Sequence, residues 1–202
     1  MGSKTPSAAV KMFLTAIANE DDVAAEAAVS ALSADDEPTL LPLCHAPDFD
    51  TQWWALRALG ACGGAASLTP LIDHVNHQNT ELRSVALMAL GQLAVRHPTA
   101  MQPHFAKLTE RLTDADGLVR QVAADALAQC GNPAIPALID VLRYHTDQAA
   151  RSRAAYALGK IATMEAAPAL YRCLNDPNYL VHTYAYEALE KMGLLETMLV
   201  QL

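Results

Sequence analysis

Seven histidines and four cysteines are the side chains of this sequence best suited to hold a metal or attack a substrate. The tightest histidine pair is His74 and His77, with Asp73 alongside, and a three-residue step sets both imidazoles on one helix face. His97 and His104 flank a proline turn, and Cys44-His45 ends a short apolar stretch. Structural zinc sites draw their ligands from closely spaced Cys or His pairs, whereas the cysteines here stand singly at 44, 62, 130 and 173. His74 and His77 therefore read as exposed turn residues. No metal and no cofactor is expected. The chain has no glycine-rich phosphate loop, no GxSxG and no paired-carboxylate signature, so no catalytic residue is assigned. Unpaired cysteines, together with a polar start at Met1 to Pro6 and no apolar run of membrane length, suggest a cytoplasmic protein.

Composition narrows the partners. Of 202 residues, 52% are hydrophobic and 18% charged, which opposes disorder, and the net charge is −8. Nucleic-acid binding needs a basic footprint, and no Lys/Arg block occurs, so neither nucleic acid nor membrane is expected as partner. Alanine is abundant and aromatic residues make up only 5%. Small helix-favouring side chains suit helices packed at close range.

The elements that must position any site come from an internal repeat. The segments Val119–Leu127, Ala150–Leu158 and Val181–Leu189 are alike, and their closing leucines recur every 31 residues. Looser copies close at Leu90, Leu59 and Leu32. Small or apolar residues sit at −8, −4, −1, 0 and +3 from each anchor leucine, one face of a 3.6-residue period. Glycine follows at Gly63, Gly131 and Gly193, where a left-handed residue would stop the helix. A shorter helix comes next, as at 134–142 with Pro136 or 166–174 with Pro168 in the first turn. Polar turns such as Thr113–Gly117 and Asn175–Asn178 then supply the next N-cap. Cys62 and Cys130 fall at +3 and are core residues by register.

A single helix pair cannot bury its apolar face; a stack can. The expectation is one all-α domain over 1–202, with repeats near 22–46, 49–76, 80–112, 117–144, 149–174 and 179–202, opened by a helix near 7–18. The segment 194–202 is apolar for a terminal cap, and self-association through a C-terminal helix is a further expectation.

The pattern Val-Arg-x-x-Ala-x-x-Ala-Leu-Gly, followed by a short helix and an Asp-bearing turn, resembles the HEAT-like repeats of phycobilisome (bilin) lyases. Ala150–Gly159 fits best despite opening with Ala, and Val119–Leu127 is followed by Ala128 instead of Gly. The resemblance runs from about Asp22 to Gly193. It implies a right-handed α-α superhelix, a HEAT-like solenoid, with each anchor-leucine helix lining a concave face. It also implies that Arg83, Arg120 and Arg151, at −7, pair with turn carboxylates or cap helix carbonyls. Two enzymes of similar fold do not fit. Deoxyhypusine hydroxylase uses His-Glu dipeptides, absent here, and HEAT-type DNA glycosylases need a basic groove.

Positions −6, −5, −3, −2 and +2 then face outward, with −5 and −3 on the border between groove and inter-helix contact. The candidate partner-binding residues are Trp53, Trp54 and Arg57 in the second repeat and Ser84 and Met88 in the third. Gln121 and Asp125 follow in the fourth, Arg153 and Tyr156 in the fifth, and Thr183, Tyr184 and Glu187 in the sixth. Leu56 and Leu87 share the face. Aromatic, Met and Arg residues are enriched at protein interfaces, so the expected function is a non-enzymatic scaffold or adaptor that binds another protein. The alternative is a tetrapyrrole-binding protein, lyase-like in handling a bilin, since an aromatic groove also suits such a ligand.

Overall fold

The computed structural model describes residues 6–195. Every regular element among them is helical. In chain order the helices are α1 (Ala8–Ala18), α2 (Asp22–Val29), α3 (Glu37–Leu40), α4 (Phe49–Cys62), α5 (Leu68–His74), α6 (Thr80–Arg96) and α7 (Pro98–Met101), then α8 (Phe105–Glu110), α9 (Gly117–Gln129), α10 (Ile135–Tyr144), α11 (Gln148–Ile161), α12 (Ala167–Arg172) and α13 (Tyr179–Lys191). The chain divides into two compact units, Met1–Ala100 and Met101–Leu202. The expected C-terminal association helix lies, beyond Leu195, outside the described residues.

Long helices carry the anchors and short ones follow. Leu59, Leu90, Leu127, Leu158 and Leu189 are all completely buried. Burying one leucine side chain stabilises by about 1.5–3 kcal/mol, and the 31-residue beat repeats that gain. The alanines at −4 and −1 are buried as well, from Ala55 and Ala58 to Ala185 and Ala188. They permit close helix packing. A Cβ placed on Gly60 of α4 would stand 2.7 Å from the Ala89 Cα of α6. In the second unit, a Cβ on Gly159 of α11 would stand 3.0 Å from the Ala188 Cβ of α13.

Side-chain caps open the long helices. The Oδ1 atoms of Asp48, Asn79, Asp116, Asp147 and Asn178 accept first-turn amides at 2.7–3.3 Å. Each such cap contributes about 1 kcal/mol. Of the −7 arginines, Arg151 meets a turn carboxylate as the resemblance implies, while Arg83 and Arg120 bond the carbonyls of the turn before their own helix. Arg83 donates to the carbonyls of His77 (2.9 Å) and Gln78 (3.0 Å), Arg120 to those of Asp114 (2.6 Å) and Ala115 (3.1 Å), and Arg151 to Asp176 Oδ1 (2.8 Å).

Two local readings change. Gly131 and Gly193 have positive φ of 67° and 70°, but Gly63 has φ −66°. Gly63 is required by space, because a Cβ there would collide with the Ser67 side chain and the Leu59 carbonyl. Leu32 is half-buried and lies beyond the end of α2 at Val29, so the first copy is out of register with the others. The 37-residue interval between Leu90 and Leu127 holds α7 and a 3₁₀ turn, Gln102–His104.

Candidate functional site

In the first unit, α4 and α6 pack so closely that part of the outward face is drawn into their seam. Trp54 keeps 7% and Ser84 8% of its surface, and Leu56 and Leu87 keep none. Close approach at Gly60 leaves no room for a groove at −3, and the −5 residue Val85 is buried with it. Trp54 and Ser84 therefore belong mainly to packing. Trp53 and Arg57 remain half-buried, and Met88 is 43% exposed. The Trp53 and Trp54 rings meet edge to face with centroids 4.9 Å apart. They line a cleft of about 290 Å³ with Phe49, Asp22, Asp50 and Glu81. Arg57 is committed to Glu26 of α2.

In the second unit the lining residues bond to one another. Asp125 Oδ1 accepts from the Tyr156 hydroxyl at 2.9 Å and from Lys160 Nζ at 2.8 Å, and Oδ2 accepts from Gln121 Nε2 at 3.0 Å. Gln121 in turn accepts from Arg153. Burial alone would push the Asp125 carboxyl up, but the bonds from Lys160, Gln121 and Tyr156 outweigh it and hold it below the usual carboxylate range. Tyr156 meets Tyr184 edge to face at 5.6 Å. Beside them is a small cleft of about 150 Å³ lined also by Gly159, Lys160, Glu187, Ala188 and Lys191. Thr183 and Tyr184 are half-buried and Glu187 is exposed. Gln121, Asp125, Arg153 and Tyr156 thus tie α9 to α11, each through a side-chain hydrogen bond.

The histidines are placed differently from the sequence reading. His74 is 5% exposed, with Nδ1 2.7 Å from the Pro70 carbonyl, so it is a buried helix-end residue. His77 stacks on it with ring centroids 5.5 Å apart, and the His45 ring lies 5.6 Å from it. Burial, then the adjoining His74, holds His77 below its ordinary pKa. Among the described residues no group of three His, Cys, Asp or Glu side chains is arranged to hold a metal ion. Burial pushes the thiols of Cys44 and Cys130 up to about 12, and those of Cys62 and Cys173 up to about 11. Such thiols are poor nucleophiles. No described helix is long and apolar enough to cross a membrane.

Phe49, Asp22, Asp50 and Glu81 were not singled out in the sequence. Asp50 and Glu81 share one register, nine residues before their anchor leucines, and that signal was available. They look like ordinary first-turn residues until the helices are brought side by side.

Known proteins support the same architecture. The HEAT repeats family model matches residues 10–91 and 105–190. No curated protein matches the chain by sequence. Among solved structures, the CpcE–CpcF complex of phycocyanin lyase from Nostoc sp. PCC7120 is 23% identical with a TM-score of 0.57, covering 73% of this chain and 98% of that one. The Escherichia coli protein YibA is 17% identical with a TM-score of 0.58, covering 100% and 82%. A designed armadillo repeat protein in complex with the peptide (KR)4 is 17% identical with a TM-score of 0.52, covering 92% and 100%. At these identities the likeness concerns the fold. With helix pairs, capped turns and anchor leucines recurring through both units, and with the family model matching most of its length, the chain belongs to the HEAT repeat family.

Proposed function

We propose that this repeat scaffold is a non-enzymatic adaptor that holds another protein against its anchor-leucine helices. The observation that carries the reading is the solvent-reached aromatic and apolar surface on those helices. In the first unit Phe49 is 37% and Met88 43% exposed, with Trp53 half-buried beside Phe49 at the cleft, and in the second unit Tyr186 is 45% exposed. Large side chains of this kind dominate binding energy at protein interfaces. The neighbour solved with (KR)4 supports the reading as a precedent for stacked helical repeats that hold a peptide.

The test is affinity capture with quantitative mass spectrometry, comparing wild type with Trp53→Ala/Met88→Ala and with Glu187→Lys/Lys191→Glu. A specific partner should be lost from at least one variant while helical circular dichroism is unchanged. Capture that is identical for all three baits would sink the proposal. A shift in visible absorbance on adding a bilin would favour the tetrapyrrole alternative. The carboxylates around the first unit's cleft oppose the propionates of such a ligand, since like charges at close range disfavour binding.

A further inference from the structure

The aromatic cleft of the first unit has a chemical bias that the rest of the lining surface lacks. Its charged members are Asp22 at the start of α2, Asp50 in the first turn of α4 and Glu81 in the first turn of α6. Among the described residues no cationic side chain lines it. Among the described residues none of these three carboxylates is engaged in an ion pair, and the nearby Arg57 is held by Glu26. First-turn acids commonly serve the helix dipole, but the repeat does not need them. The long helices α9, α11 and α13 have no acid in the first turn, and the register of Asp50 and Glu81 is filled there by Leu118, Ala149 and Leu180.

Carboxylates and aromatic faces select the same occupant. The face of an indole or phenyl ring is negative, so it attracts a cation approached at close range. The guanidinium fork also bonds carboxylates through two parallel N–H groups. An anionic occupant is repelled, and a purely apolar one leaves three carboxylates facing it. We propose that this cleft receives an arginine or lysine side chain from a basic segment of the partner protein. The assignment rests on the scaffold reading above and specifies the chemistry of what is held.

The chain's two tryptophans, Trp53 and Trp54, both line the cleft, so tryptophan fluorescence of the full chain reports on it directly. The titrants are oligo-arginine, oligo-lysine, oligo-glutamate and oligo-serine peptides of equal length. The basic peptides should give a saturable change that the other two do not. Asp50→Asn/Glu81→Gln should weaken that binding about tenfold, corresponding to about 1.4 kcal/mol. A polycation is also drawn by the net charge of −8. The charge-matched control is therefore Asp140→Asn/Glu190→Gln, which removes two exposed carboxylates of the second unit and should leave affinity within about twofold. Equal weakening in both variants, or no saturable change with basic peptides, overturns the proposal. If the first double variant fails to fold, Asp22→Asn and Asp50→Asn taken singly should each weaken binding about threefold, about half of that free energy; no effect from either overturns it too. Partner capture that survives while basic peptides fail removes the cleft assignment alone, whereas loss of both removes the scaffold reading.

Discussion

Asp125 joins two neighbouring helices through its side chain. Its position, two before the anchor, is half-buried, and its carboxylate is tied to Tyr156, Lys160 and Gln121. The folded pKa is lowered, so the stabilisation is fully present above the unfolded value of about 4 and is lost as pH falls through the folded one. Asp125→Asn should therefore melt lower than wild type at neutral pH, and the gap should close as pH drops below about 4. Melting curves across that range check it, and a constant gap would mean that the charge contributes nothing. The cysteines make a second residue-scale case. With thiols raised to about 11 or 12 by burial, the native chain should resist iodoacetamide at neutral pH and take up four labels once unfolded.

At the scale of elements, stability is set at helix starts and at helix crossings. Asp116 accepts the Leu118 and Val119 amides at the start of α9. Asp116→Ala should cost about 1 kcal/mol in urea unfolding. The crossing of α4 and α6 is tighter. Gly60→Val places branched carbons where Ala89 already sits and should cost about 1–3 kcal/mol through overpacking, read from urea unfolding. Arg96 strengthens the same crossing, since its Nη2 donates to the Gly60 carbonyl at 2.7 Å and the Gly63 carbonyl at 3.3 Å. The short helix α5 is capped from α3 instead. Glu37 Oε1 accepts from the amides of Gly64 and Ser67 at 2.8 and 3.0 Å, a capping contact from outside the element.

For the whole molecule, a stack with nearest-neighbour contacts has no single core. The division at Ala100 and Met101 fits that principle. Leu127→Ala, worth about 2–5 kcal/mol, should speed amide hydrogen exchange through α9 and α11 while leaving α1 and α2 largely protected. Uniform loss of protection would indicate one cooperative body. Much of this architecture was legible in the residues. The 31-residue beat, the buried anchor leucines, the cap residues and the proline-opened short helices follow from local spacing, because helix period and capping act over a few residues along the chain. The burial of Trp54, Ser84 and His74, the spatial rather than left-handed need for Gly63, and the mutual bonding of the second unit's outward residues did not. Nor did the grouping of Asp22, Asp50 and Glu81 around aromatic rings. These depend on how far apart two packed helices stand, a distance fixed by side chains about thirty residues away in sequence, which no pattern within one helix encodes.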